Sequence, residues 1–146
     1  LNSARIVVKN GLLTAYDVTG MDLNGTELVN LTACDTGLGK VTSEGVVGLR
    51  QAFRLAGARS IIVSLWQIPT DETISQVKNF YDLWLTGGEP ASRLNRYEAF
   101  RAAELNALHE ARRSHGVGHP VYWAGTVYVG DPGDLPHLRP TPGTVH

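Results

Sequence analysis

The spacing of apolar and polar positions divides the chain into short β-branched runs and longer stretches with helical periodicity. Residues 5–9 (R-I-V-V-K) predict a strand ended by the turn dipeptide Asn10-Gly11. Thr14, with Asp17 three positions on, predicts a capping box at the head of a short helix, and residues 22–25 (D-L-N-G) predict a second turn. Residues 28–34 (L-V-N-L-T-A-C) read as a strand buried on both faces. A glycine-rich loop without hydrophobic period follows it. Ser43 is placed to cap a helix with Val46, Leu49, Phe53 and Ala56 on one face, and Gly57 supplies its stop. Residues 60–65 (S-I-I-V-S-L) predict another central strand. Pro69-Thr70-Asp71-Glu72 opens a helix with acids in its first turn. Ile74, Val77, Tyr81, Trp84 and Leu85 form its predicted stripe, ended by Gly87-Gly88. A third long helix is expected over residues 97–113, with Phe100, Ala103, Ala107 and Ala111 along one side. A loop containing Gly116, Gly118 and Pro120 then leads to a last strand over residues 122–129.

Strands alternating with helices predict an α/β fold, a mostly parallel sheet with helices packed against it. Four of the seven prolines fall after residue 131. The fold is therefore expected to occupy residues 1–131, with 132–146 as a Pro-rich mobile tail. Hydrophobic residues at 42% against 18% charged suit a globular core and not a disordered chain. Thirteen Lys and Arg against fourteen Asp and Glu leave a net charge of −1, which gives no electrostatic reason for a nucleic acid or an anionic membrane as partner. No apolar run approaches the roughly 20 residues that span a bilayer, and no signal peptide is recognisable, so a cytoplasmic location is expected. The start on Leu1 suggests an internal piece of a longer protein.

The single cysteine excludes a disulfide framework and a Cys-based zinc site within these residues. Cys34 ends an apolar strand and opens a glycine-rich loop, which is where open α/β sheets gather working residues. By position it is either a nucleophile or an inert core thiol. The loop fails the P-loop pattern, because Cys34 stands at the first glycine and Val41 at the magnesium-binding hydroxyl. It fails G-x-G-x-x-G too, with Thr42 at the third glycine. His115 and His119 have a ligand-like spacing only in a helix, and Gly116, Gly118 and Pro120 argue against one, so both read as solvated loop histidines. No metal or cofactor is expected. Trp66, at the end of its strand, either packs in the core or walls a cleft.

Several blocks carry a family resemblance. Residues 25–29 (G-T-E-L-V) and 31–39 (L-T-A-C-D-T-G-L-G) resemble the nucleophile segment of CHAT domains, caspase-like cysteine peptidase domains of clan CD often attached to tetratricopeptide repeats. Residues 45–49 (G-V-V-G-L), 55–58 (L-A-G-A), 64–66 (S-L-W), 119–124 (H-P-V-Y-W-A) and 129–131 (V-G-D) follow in the same order. The narrower caspase signature Q-A-C-[RQG]-G is not met, since Thr32 and Asp35 stand in its place.

The resemblance implies a caspase-like three-layer sandwich whose N-terminal strands precede this sequence. It further implies endopeptidase chemistry with Cys34 as nucleophile and its backbone N–H as an oxyanion donor, and places Ser64 and Trp66 in the substrate cleft. The family's catalytic histidine lies in a T-H-G-like segment upstream of the cysteine, whereas the first histidine here is His109. A cysteine without its base is mostly protonated at neutral pH, given an ordinary thiol pKa of about 8.5. The expected reading is the nucleophile-bearing part of a CHAT endopeptidase, acting on a peptide or protein, with its histidine on the upstream part of the same polypeptide. An inactive CHAT module that binds a peptide or partner protein is one alternative. An unrelated α/β domain that holds a small anion is another.

Overall fold

A computed structural model describes residues 5–8, 11–32, 43–66, 68–86 and 94–133. Strands β1 (Arg5–Val8) and β2 (Gly11–Thr14) pair antiparallel, with Val8 opposite Gly11. Gly11 thus opens a second strand where the pattern suggested only the end of one, and Asn10 lies outside the described residues. Thr14 then caps helix α1 (Ala15–Thr19), with both bonds of the capping box to Asp17 present.

The central sheet has the order β3-β4-β5, from β3 (Val29–Leu31), β4 (Ser60–Ser64) and β5 (Thr126–Gly130). β3 and β4 are parallel, with Leu31 opposite Val63, and β4 and β5 are antiparallel, with Ser64 opposite Thr126. The sheet is therefore mixed, with one pairing of each kind among the described residues. β3 is shorter than the predicted run, and residues 33 and 34 lie outside the described residues.

Alternation along β4 divides the core into two layers. Ile61 packs with Val18 of α1 and with Leu49, Ala52, Phe53 and Ala56 of helix α2 (Ser43–Leu55). The next residue, Ile62, faces the other way and packs with Phe80 of helix α3 (Thr70–Tyr81) and with Ala99, Phe100 and Ala103 of helix α4 (Arg96–His115). Helices thus cover both faces of the sheet. α4 begins with a second capping box, Asn95 with Glu98, and ends at Gly116 in the left-handed conformation (φ 71°) that a Cβ disfavours.

Two predicted elements are placed differently. α3 turns Thr73, Gln76 and Phe80 inward, whereas Ile74 is 60% exposed and Leu85 56% exposed. The helix also passes into a wider π-type turn, Asp82–Thr86, which shifts the phase of its last residues. Residues 122–125, assigned to the last strand by pattern, belong instead to the short 3-10 turn Pro120–Tyr122 and the bend after it. Pro120 at the first position of that turn explains the difference.

Candidate active site

Because β3 and β4 are parallel, their carboxyl ends lie on one edge of the sheet, and antiparallel β5 begins there. Thr32 stands one position past the Leu31–Val63 pair, beside Ser64, and Ser64 pairs with Thr126. Three hydroxyl residues therefore sit in a row across this edge. Thr32 and Thr126 are buried. Gln76, 6% exposed, reaches them from α3: its Nε2 donates to the Trp123 carbonyl at 3.3 Å and to Thr126 Oγ1 at 3.4 Å. Burying an amide without partners costs several kcal/mol, and these bonds offset that cost. On the α3 side the interior changes here from Ile62, Phe80 and Phe100 to hydroxyls and amides, around a void of only 10 Å³. The Ser64 hydroxyl is enclosed and has no hydrogen-bond partner among the described residues.

Asn30 belongs to the same face of β3. Its Oδ1 accepts the Thr32 backbone N–H at 3.2 Å, and its Nδ2 donates to the Tyr81 hydroxyl of α3 at 3.4 Å. Past the end of β4, the Leu65 N–H donates to the Gly125 carbonyl at 2.7 Å, and Leu65 and Trp66 are 44% and 39% exposed. A Cβ at Gly125 would lie 2.3 Å from Ile68 Cγ1 and 2.9 Å from Trp66 Nε1, so only glycine lets the indole lie this close to the chain.

Three predicted site residues are distributed as follows. Cys34 lies outside the described residues. Ser64 is at the predicted edge with its hydroxyl closed off, and Trp66 stands beyond the strand, 39% exposed and outside the core clusters. Asn30 and Gln76 were absent from the predicted site. Asn30 carried a signal: a lone amide inside a strand read as apolar on both faces needs a partner. Gln76 carried none, because on an isolated helix it sits among polar neighbours.

Both histidines are exposed, as read from the sequence, and His119 lies in the loop, but His115 is helical. His115 is the last residue of α4, its Nε2 3.1 Å from Glu72 Oε1, with its ring stacked on Tyr122 at 4.0 Å between centroids. His119 caps the 3-10 turn, and its Nδ1 accepts the Val121 N–H at 3.2 Å. A groove of 560 Å³ runs between α3 and α4, lined among others by Glu72, Asn79, Asn106, Glu110 and His115. No cluster of His, Cys, Asp and Glu among the described residues could hold a metal. No described helix is long and apolar enough to cross a membrane.

Mixed pairing, helices on both faces and a polar carboxyl edge define a layered α/β protein. The chain belongs to the CHAT domain family, whose model matches residues 2–131. It is 33% identical over 119 residues to tetratricopeptide repeat protein 28 of Homo sapiens, covering 82% of this chain, and 32% identical over the same length to the protein of that name from Mus musculus. The chain spans 4% of the length of either relative. No solved structure matches it.

Proposed function

We propose that this chain is the nucleophile-bearing part of a CHAT cysteine endopeptidase, with Cys34 attacking the scissile carbonyl of a peptide or protein. The observation that carries this reading is the position of the T-A-C block. Its first residue, Thr32, follows β3 at the shared carboxyl edge of two parallel strands, and the family match supports the reading of the block. In this scheme the thiol proton passes to a histidine as sulfur bonds to the carbonyl carbon, and the Cys34 N–H donates to the resulting oxyanion. The histidine returns the proton to the leaving amine, and water then hydrolyses the thioester. Trp66 and Ser64 line the cleft on the side before the cut.

The base is a histidine from outside these residues. His119 has committed its Nδ1 lone pair to the Val121 N–H, and His115 is tied to Glu72 and Tyr122. Tetratricopeptide repeats, as in the names of the relatives, are the proposed neighbours in the same polypeptide, and the cytoplasm is the proposed location. The alternative is a module that binds a peptide or partner protein without cutting it.

Iodoacetamide labelling of Cys34 across pH, followed by mass spectrometry on the longest polypeptide carrying this domain, separates the two. A histidine-activated thiol titrates well below the ordinary value of about 8.5, and Cys34→Ala abolishes peptide cleavage. A thiol that titrates near the ordinary value, in a protein that cleaves nothing, identifies the binding module.

A further inference from the structure

We infer that the groove between α3 and α4 is a docking site for a peptide segment that carries an arginine side chain; the inference does not depend on Cys34. Two contacts bracket the groove. At one end Asn106 Nδ2 donates to Asn79 Oδ1 at 2.9 Å, and at the other His115 Nε2 lies 3.1 Å from Glu72 Oε1. Glu72 and Asn79 are seven positions apart on α3, which sets these contacts about 10 Å apart along its axis. α4 lines the groove with Ala103, Ala107 and Ala111, one turn apart on a single face. Their methyl groups do not fill the space beside Gln76, and 560 Å³ stays open, a volume within the range of ligand sites.

Gln76 is 6% exposed, and its amide has one possible orientation. The Trp123 carbonyl can only accept, so the nitrogen faces it and Thr126, and the oxygen is left on the other side. That oxygen accepts no bond from the described residues and is not enclosed, and Gln76 lines the groove. An acceptor on a residue this deeply buried calls for an N–H from a partner. The charges point the same way. Glu110 is held by Arg113 at 2.7 Å and by Ser114, whereas Asp71 has no ion pair among the described residues, and Glu72 has His115. Asp71 and Glu72 open α3, and they leave the groove negative whether or not His115 is protonated. Gln76 follows Glu72 by four positions, so carboxylate and amide oxygen are neighbours on one helix face.

A guanidinium on a slim aliphatic stem matches this set. The stem lies along the alanine methyls, the N–H groups reach the Gln76 oxygen, and the charge meets Asp71 and Glu72. The same acids repel a free α-carboxylate, which favours arginine inside a peptide over the free amino acid.

Calorimetric titration tests this on the longest polypeptide carrying the domain, in a Cys34→Ala background so that no cleavage takes place. The ligands are the end-blocked tripeptide Gly-Arg-Gly, its citrulline counterpart of the same shape without the charge, and free arginine. The arginine peptide is expected to bind about tenfold or more tighter than the citrulline peptide, and tighter than free arginine. Ala107→Leu fills the groove without changing its charge and is expected to abolish that preference. Asp71→Asn is expected to weaken binding about two- to fivefold, and less at high salt. Trp66→Ala, at the other cleft, is expected to change nothing. Thermal unfolding reports whether each variant is folded; should Ala107→Leu not fold, Asp71→Asn decides, and unchanged affinity there overturns the inference. Equal binding of the arginine and citrulline peptides also overturns it. So does a preference that survives in folded Ala107→Leu or is lost in Trp66→Ala. None of these results bears on Cys34 as nucleophile, which the alkylation profile decides separately.

Discussion

At the scale of single residues, one carboxyl of α4 links stability to pH. Burial pushes Glu104 up from 4.5 to about 7. The native state therefore keeps this proton until about pH 7, while the unfolded chain releases it near 4.5. Between those values the folded protein binds more protons than the unfolded one, so the contribution of Glu104 is fully present below about 4.5 and is lost as pH rises through 7. Glu104→Gln, neutral at every pH, is expected to raise stability by about 1–2 kcal/mol at pH 8, a figure reduced for the partial exposure of the carboxyl. At pH 4 it is expected to change little. Urea unfolding at the two pH values checks both. Asp17 behaves oppositely: the Thr14 side chain and then the Thr14 backbone N–H hold its carboxyl below the usual range.

At the scale of elements, local signals worked where the interaction that forms the element is itself local. Both capping boxes join residues three apart, and the Thr14–Asp17 box was readable from those two positions. The strand 60–65 was equally clear, because its run of β-branched residues is contiguous. Of the predicted α3 stripe, Tyr81 and Trp84 pack against the core, whereas Ile74 and Leu85 are exposed. Ile74 has the more apolar side chain, yet Thr73 and Gln76 are the ones turned inward, toward carbonyls at 68, 69 and 123. The close approach of β5 to β4 was also invisible to periodicity. Gly130 has φ 119°, and a Cβ there would meet the Arg59 carbonyl oxygen at 2.3 Å. Gly130→Ala is expected to lose about 2–4 kcal/mol, since strain and a backbone clash act together. Chemical denaturation measures it, and a loss under about 0.5 kcal/mol would mean that the edge strand relaxes freely.

At the scale of the whole molecule, Arg96 joins segments far apart in sequence. It is 4% exposed, bonds Glu27, donates from Nε to the Tyr128 hydroxyl at 3.4 Å, and lies 5.9 Å from the centroid of the Trp84 ring. Glu27 also reaches Arg59 at 3.1 Å, so one half-exposed carboxylate ties the segment before β3 to the starts of both β4 and α4. Removing it leaves a buried guanidinium short of its counter-charge. Glu27→Ala is expected to destabilise by about 1–3 kcal/mol, and the double variant Glu27→Ala/Arg96→Met by less than the two single losses together. A double-mutant cycle measured by thermal unfolding tests it, and strict additivity would remove Arg96 from this role.

The sequence by itself determined the order of the long helices and of the central strands, most of their ends, and the family, but not the second strand of the N-terminal pair. Each of these depends on neighbours within a few positions or on short motifs. The tertiary structure alone decided which helix face turns inward, that β5 runs against β4, and that the carboxyl edge is lined by Asn30, Thr32, Gln76 and Thr126. Those outcomes depend on partners 50 and 51 residues away, Gln76 on Thr126 and Asn30 on Tyr81. A polar side chain is stable in the interior only where a distant segment brings it a partner, and nothing in its own neighbourhood records that.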